Sequence, residues 1–365
     1  MFIMEQEKYT VNELFKELIP YIPQELVSSE IIETIKTLNQ KLPASLTTAG
    51  GFECRIGKNE PSADWQICIN LSDYGREVLA DKTDRGKLDD SLFNTVQWQH
   101  IRKFASYWSD SASPLYKRTN NIWLEFDLER LKEEVPVPGL FFNIMPETED
   151  SSKEDICDSI IDGLTCLGGK SLRKKIKDNL RFCLQGLPEG AGIVYAALMI
   201  SRDTEAVRVV IDIDKGVIKD YLASIKFPDS TQELMELLEE LSQFAGFCRY
   251  NLDISYKVLP KIGIEYFLQS KEEKEKPDWE RFLAYLVRSS LCTPEKCDAL
   301  LKWTGYTRTI FPFDLFYSYI FRKISHVKIV CQKDFPPEAK AYISFWRNFE
   351  TDILTWRKPP VHESL

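Results

Sequence analysis

Residues 51–71 read GFECRIGKNEPSADWQICINL, two runs in which apolar and polar residues alternate, separated by a polar turn. Alternation with a period of two is typical of a β-strand with one buried face, and the proline-containing turn allows the two runs to pair. We therefore predict an antiparallel hairpin here. Four similar hairpins are predicted further along the chain, pairing residues 122–128 with 140–144, 193–201 with 206–213, 248–257 with 262–268, and 326–332 with 339–345.

Between the hairpins the apolar residues change to a helical period, and Ser, Thr, Asp or Pro precede several of these segments as helix-start signals. The hairpins recur at intervals of roughly 55–77 residues, which indicates repeated αββα units. Ten antiparallel strands in an open sheet would leave exposed edges, whereas closure into a barrel removes them. We predict an α+β fold in which helices surround one ten-stranded antiparallel β-barrel. An α+β protein with two separate antiparallel sheets is the alternative.

The chain is predicted to form a single domain over residues 1–365. A helical lead-in occupies residues 1–48, the barrel residues 49–346 and a tail residues 347–365. The predicted helices cover residues 11–21, 23–42, 155–167, 170–187, 215–225, 231–244, 279–291 and 294–303.

Each predicted strand has an apolar face and a polar face. In the third hairpin, for example, Val207, Val209 and Ile211 alternate with Arg208 and Asp212. Helices outside a barrel need an apolar strand face to pack on, so the polar face points into the lumen. The alternative reverses the faces, with the polar residues in water and the apolar residues in a sandwich core. The residues predicted to line a polar lumen are Arg55, Arg208, Arg249, Lys257, Lys328, Lys340, Glu53, Glu125, Asp127, Asp212, Asp253 and Glu265.

Two lysines of this set are predicted to be neighbours. A proline-containing turn joins the last two strands and places Lys328 and Lys340 close together on the polar face. Two confined ammonium groups repel each other, and a bound anion relieves that cost. We therefore predict an anion site, with Tyr342 as a further hydrogen-bond donor. Lys340→Ala should weaken anion binding there by about 1.5–3 kcal/mol with little loss of stability. The alternative is that the lysines pair with Glu265 or Glu125 across the lumen.

The composition is that of an ordinary globular protein and excludes several functions. Lys and Arg number 47 against 56 Asp and Glu, a net charge of −9 with no basic block, which argues against nucleic acid or an anionic membrane as partner. No stretch approaches the ~18 apolar residues of a membrane span, and the first residues lack the features of a signal peptide. The sequence therefore predicts a cytoplasmic protein, and it leaves the oligomeric state open.

The cysteines and histidines argue against a structural metal. The nine cysteines are odd in number and scattered without a Cys-x-x-Cys, and only three histidines are present. A disulfide framework, a zinc site or a multi-histidine centre would need more regular spacing. No metal site is predicted.

The repeated helical and hairpin units resemble the barrel of the aromatic, indole and cyanobactin peptide prenyltransferases. Residues 52–56 (FECRI) are similar to the first hairpin of that family, whose Glu contacts the aromatic or peptide acceptor. Lys340 and Tyr342, with the neighbouring Lys328, are similar to the Lys-x-Tyr strands that hold and shield the diphosphate. The hairpin pattern covers residues 51–345.

The sequence also departs from the family pattern at its polar positions. Gln66 stands where the first hairpin of the family often supplies an Arg, and Glu125 and Asp127 stand where a diphosphate favours cations. The predicted lumen holds six acids and six bases. An equal number of acids and bases is less suited to a diphosphate than the family pattern, and it favours a different ligand.

The resemblance implies a transferase that attaches an isoprenyl group from a diphosphate donor to an aromatic or peptide acceptor, as in peptide modification or natural-product biosynthesis. It assigns Glu53 as the catalytic residue, which accepts a hydrogen bond from the acceptor or takes its proton. Mg²⁺ accompanying the diphosphate is the one cofactor it suggests. The alternative is a non-catalytic barrel that binds a peptide or small polar ligand in a mixed-charge lumen. The predicted substrate-binding residues are Arg55, Arg208, Arg249, Lys257, Lys328, Lys340, Tyr342, Trp123, Glu125 and Glu265.

Overall fold

A computed structural model of the protein describes residues 9–128, 136–145, 152–169, 172–202, 205–228, 232–268, 277–312 and 314–350. Eleven β-strands lie in these residues. They are β1 (Ala49–Arg55), β2 (Ala63–Asn70), β3 (Asn121–Phe126), β4 (Gly139–Asn143), β5 (Gly192–Leu198), β6 (Val207–Asp212), β7 (Phe247–Ile254), β8 (Val258–Phe267), β9 (Gly305–Thr309), β10 (Ser318–Gln332) and β11 (Phe335–Phe349).

Ten of the strands close into an antiparallel barrel. The strands β1 to β8 pair in chain order, β8 pairs with β10, and β11 pairs with both β10 and β1 to complete the ring. The predicted closed barrel is thus confirmed, and the alternative of two separate sheets is wrong. The sequence did not indicate β9, which pairs with Ser318–Arg322 of β10 outside the ring. It also did not indicate that β11 continues to Phe349, three residues into the segment predicted as a tail.

Eleven α-helices are found in the described residues. All eight predicted helical segments contain a helix: six of these helices are shorter than predicted, the one at residues 153–168 is longer, and the one at residues 294–303 matches. The helices at residues 75–79, 96–108 and 115–118 were missed. The helices are α1 (Val11–Leu18), α2 (Ser29–Asn39), α3 (Gly75–Leu79), α4 (Val96–Trp108), α5 (Leu115–Arg118), α6 (Lys153–Gly168), α7 (Lys174–Gln185), α8 (Ile218–Ser224), α9 (Gln232–Ser242), α10 (Trp279–Arg288) and α11 (Pro294–Trp303).

Local sequence explains where several helices begin. Thr10 and Glu13 form a capping box at the start of α1, because the side chain of each binds the backbone N–H of the other end of the turn. The Thr293 hydroxyl accepts a hydrogen bond from the backbone of Lys296, and Pro294 occupies the first position of α11, where its missing N–H costs nothing.

The apolar strand faces form the main core beneath the helices. Phe52 of β1 and Trp65 of β2 lie with ring centroids 5.0 Å apart, and Phe15 of α1 packs edge-on against Trp65 at 5.1 Å. These rings are fully buried, and each such aromatic pair contributes about 0.5–1.5 kcal/mol beyond its buried area. The alternative with reversed faces is therefore wrong. The polar faces of the ten barrel strands point into the lumen.

Candidate functional site

A cavity opens inside the lumen, and all ten strands of the ring contribute to its wall. The space between its walls, counted together with open solvent at its mouth, is about 690 Å³. On most strands the lining residues lie in the middle of the strand or in the half that is farther from the hairpin turn. The wall consists of Gly50, Gly51, Gln66, Trp123, Glu125, Phe141, Tyr195, Val210, Arg249, Asn251, Glu265, Phe267, Ser325, His326, Lys328, Tyr342, Ile343 and Ser344.

The two lysines predicted as neighbours are neighbours, and both face Glu53. Lys328 and Lys340 are directly opposite each other on β10 and β11. The Nζ of Lys340 lies 2.5 Å from Glu53 Oε1, and the Nζ of Lys328 lies 3.7 Å from Glu53 Oε2. The Tyr342 hydroxyl donates a hydrogen bond to the same carboxylate. The alternative of a carboxylate partner is thus right in kind, although the partner is Glu53 and not Glu125 or Glu265.

The charge state of Glu53 follows from these contacts. Burial by itself opposes ionisation of the carboxyl, but Lys340, Lys328 and the hydrogen bonds outweigh it, so the pKa of Glu53 is held well below its ordinary value. The same pair raises the pKa of Lys340 although burial lowers it. Glu53 is not part of the cavity wall, whereas Tyr342 and Lys328 are. The geometry therefore places Glu53 as a support for these two side chains.

A second ion-pair group contains an arginine that the sequence analysis missed. Arg202, in the loop after β5, binds Asp127 through two hydrogen bonds of 2.6 Å and reaches Glu125 at 3.3 Å. The Gln66 amide donates to the other oxygen of Glu125 at 3.0 Å. Burial and the nearby Glu53 raise the pKa of Glu125. Arg202 lies in a turn, where no strand alternation could have assigned it to the lumen.

Further ion pairs fill the half of the lumen nearest the hairpin turns. Arg208 of β6 makes a bidentate pair with Asp253 of β7, at 2.7 and 3.0 Å. Arg55 contacts Asp64 at 3.3 Å, and Asp64 also accepts a hydrogen bond from the backbone of Leu128. These side chains do not line the cavity. The charges of this half of the lumen are therefore paired with one another.

Lys261 adds a positive charge to this half and was also missed, because β8 begins at Val258 rather than at the predicted residue 262. Burial and the neighbouring Arg208 lower the pKa of Lys261. The earlier start of β8 also moves Lys257 into the turn between β7 and β8, where it is exposed. The prediction that Lys257 lines the lumen is therefore wrong, since the turn falls at residues 255–257 and not between residues 257 and 262.

The remaining wall combines polar groups with aromatic rings. Arg249 lies over the ring of Phe267 with its guanidinium 5.0 Å from the centroid. The His326 ring stacks on the Tyr342 ring with centroids 4.2 Å apart and lies tilted against the Phe267 ring at 4.6 Å. Burial lowers the pKa of His326 to about 4, so its ring is neutral at pH 7. Trp123, Phe141 and Tyr195 complete the aromatic part of the wall.

Four of the lumen carboxylates are not available to a resident Mg²⁺. The cation would need free carboxylate oxygens, yet Glu53, Glu125, Asp127 and Asp253 are each engaged by a Lys or Arg. Among the residues that the structure describes, no three His, Cys, Asp or Glu side chains are grouped as metal ligands. The nine cysteines are free thiols. In the same residues no helix has both the length and the apolarity to cross a membrane.

Fold and lumen together define a class, the antiparallel ten-stranded barrel with a polar interior and a helical exterior. No protein-family model and no curated protein sequence matches the chain. Solved structures match the fold over most of its length. AnaPT from Neosartorya fischeri aligns with a TM-score of 0.52 and 12% identity, covering 93% of this chain and 93% of its own.

Two bacterial enzymes are similar to the same extent. The 5-dimethylallyltryptophan synthase of Streptomyces coelicolor has a TM-score of 0.51 and 14% identity, covering 92% of this chain and 97% of that one. The 6-dimethylallyltryptophan synthase of Micromonospora olivasterospora, solved with DMASPP and Trp, has a TM-score of 0.50 and 13% identity, covering 92% and 96%. The chain therefore has the prenyltransferase-barrel fold, as the sequence resemblance predicted.

Proposed function

We propose that this protein is a prenyltransferase-type enzyme that transfers an isoprenyl group from a diphosphate donor to an aromatic acceptor inside the barrel. The observation that carries the proposal is the composition of the cavity wall. Aromatic rings from five strands face the same space as Lys328 and Arg249. Such a wall offers cations for a leaving diphosphate and ring faces for a carbocation.

The reaction would begin when the allylic C–O bond of the donor breaks and the diphosphate leaves with the bonding electrons. Lys328 can stabilise part of the negative charge of the leaving diphosphate. It is held less closely by Glu53 than Lys340 is, since its contact is 3.7 Å and that of Lys340 is 2.5 Å. Trp123, Phe141 and Phe267 would exclude water from the allylic cation. A ring carbon of the acceptor then forms the new C–C bond with the allylic cation. The same carbon afterwards releases its proton to a carboxylate of the cavity wall.

Glu53 would act here as a positioning residue. Its carboxylate holds the Tyr342 hydroxyl and two ammonium groups, so it keeps Tyr342 and Lys328 at the cavity wall. Direct proton removal by Glu53 is less favourable, because a carboxylate with a strongly lowered pKa is a weak base.

The test uses dimethylallyl and geranyl diphosphate with tryptophan and other aromatic compounds as acceptors, with product detection by mass spectrometry. Thermal unfolding with each diphosphate alone measures donor binding, since a ligand of the folded state raises the midpoint. We expect donor binding and product for the wild type and for the matched control Lys257→Met, and neither for Lys328→Met. Absence of both across the donors would contradict the proposal.

One observation favours a second function. Arg202, Arg208 and Lys340 are all held by carboxylates within 2.5–2.7 Å, which reduces the positive charge available to an anion. A non-catalytic barrel that binds a small polar or amphoteric ligand fits such a neutralised lumen. Binding of an acceptor without binding of any diphosphate would support this second function over the first.

A further inference from the structure

The strands β9, β10 and β11 extend the barrel wall at the end where the cavity lies. Along one edge of β10, β8 pairs with residues 327–332 and β9 pairs with residues 318–322. The other edge of β10 pairs with β11 over the whole strand, and the turn between these two strands lies at the opposite end. β9 therefore continues the row of strands past the end of β8, on the side of the cavity residues Ser325 and His326.

Four aromatic rings lie together on this extension, on the strand face that forms the cavity wall. Trp346 follows the wall residue Ser344 two positions further along β11, so both side chains share that face. The Phe321 ring is nearly parallel to the Trp346 ring, with centroids 5.3 Å apart. The rings of Tyr319 and Tyr306 each lie 6.1 Å from the Phe321 ring. These four residues form an aromatic shelf that continues the cavity wall.

The aromatic shelf is accessible from outside the barrel. The side chain of Tyr306 is 66% exposed, and the other three rings are half-buried. Single exposed apolar side chains are ordinary, whereas a contiguous group of them beside a cavity is typical of a binding surface. The shelf therefore needs a ligand or a partner to explain it.

The edge of β9 shows what kind of partner fits. In the part of the chain that the structure describes, no strand pairs with the edge of β9 that faces away from β10. β9 contains no proline, and its one charged residue, Arg308, is held by Glu350 at 2.9 Å. The edge therefore lacks the proline and the free charge with which proteins commonly prevent the addition of a further strand.

We infer that β9 binds an extended peptide as an additional strand, with alternate side chains of the peptide on the aromatic shelf. The amide groups of a peptide pair with the free N–H and C=O groups of β9, and every second side chain points to the same face as Tyr306. A hydrocarbon chain or an isolated aromatic compound would leave these backbone groups unpaired.

The position of such a strand connects it with the cavity. A strand added to β9 lies beyond the end of β8, where Phe267 lines the cavity, so an aromatic side chain of the peptide is next to the mouth. Peptide binding goes beyond the proposed function and does not rest on it. Only the use of that side chain as the acceptor rests on the proposed function.

The experiment compares the N-acetylated and C-amidated pentapeptide Thr-Val-Trp-Val-Thr with N-acetyltryptophanamide, by calorimetric titration without any diphosphate. The wild type should bind the pentapeptide at least about ten-fold more tightly, because main-chain hydrogen bonds are added. Tyr306→Ala should weaken pentapeptide binding about three- to ten-fold, the range of one aromatic contact. The matched control Tyr256→Ala removes an exposed ring from the turn between β7 and β8 and should leave binding unchanged.

Two N-methylated isomers of the pentapeptide test strand addition on the wild type itself. The first carries methyl groups on the amides of its second and fourth residues, and the other on those of its third and fifth. These amides point to opposite edges of an extended strand, and only one edge pairs with β9. One isomer should therefore lose about ten-fold or more in affinity while the other retains it.

Equal affinity of the two isomers, or of the pentapeptide and N-acetyltryptophanamide, would overturn the inference. A dimer in sedimentation that Tyr306→Ala dissociates would also overturn it, because a second copy would then occupy the edge. Product from small aromatic acceptors without any preference for the peptide would refute this site and leave the proposed function intact. A preference for the peptide without product from any acceptor would do the reverse.

Discussion

Lys340 and Glu53 form an ion pair across β11 and β1, with 2.5 Å between Lys340 Nζ and Glu53 Oε1. The sequence assigned the lysine to an anion and the carboxylate to an acceptor, and the structure joins them to each other. The pair is nearly buried, since the side chain of Glu53 is 3% exposed and that of Lys340 is 16% exposed. Its first role is therefore to compensate charge inside the barrel.

Removal of Lys340 should destabilise the fold. Lys340→Met leaves the Glu53 carboxylate with Lys328 and Tyr342 alone, and we expect a loss of about 2–3 kcal/mol, below the ~3–5 kcal/mol of a fully buried pair. Urea unfolding at pH 7 measures the loss, with Lys257→Met on the exposed turn as the control. A change below about 0.5 kcal/mol in Lys340→Met would contradict the structural role and restore the anion-site prediction.

Glu53 should also make the stability depend on pH. Its pKa in the folded protein lies well below its ordinary value of 4.5. A group with a lowered folded pKa stabilises above its unfolded pKa, and this contribution is lost as pH falls through the folded pKa. The free energy of unfolding should therefore fall more steeply below about pH 4.5 in the wild type than in Glu53→Gln. Parallel curves would show that Glu53 titrates normally.

Glu125 should show the opposite dependence, because burial and Glu53 raise its pKa. An acid whose pKa is higher in the folded than in the unfolded protein lowers the free energy of unfolding as pH rises from the unfolded-state pKa to the folded-state pKa. Glu125→Gln removes this loss, so the variant should gain stability relative to the wild type as pH increases above about 4.5. The measurement is a urea titration of both proteins across this range, and a relative loss on going to higher pH would contradict it.

Arg202 should contribute more to the stability of the fold than an arginine in an exposed ion pair. Arg202→Gln leaves Asp127 and Glu125 buried side by side without their shared cation, and we expect a loss of about 3 kcal/mol or more. The control is Arg173→Gln, which breaks an exposed pair with Glu205 and should cost less than about 1 kcal/mol. Equal losses in the two variants would show that the lumen pair is as solvated as the surface pair.

Much of the fold was predictable because its signals are local. Period-two alternation around residues 51–71 and in four later segments is a property of the strand, and turn residues separate the paired runs. The need to cover sheet edges then predicts closure. β9 was missed because its five residues are partly exposed and show no buried face. The ends of β8 and β10 were misplaced because strand pairing, and not side-chain pattern, decides how far a strand continues.

The sequence by itself determined which face of most strands points into the lumen, since alternation places Glu53, Lys340 and Glu265 on polar faces before any partner is known. Only the tertiary structure decided which charges meet. The strand register brings Lys328, Lys340 and Tyr342 to Glu53, and a loop brings Arg202 to Glu125. Coulomb interactions fall with distance in space and not along the chain, so the division into neutralised pairs and an open aromatic cavity exists only once the barrel is closed.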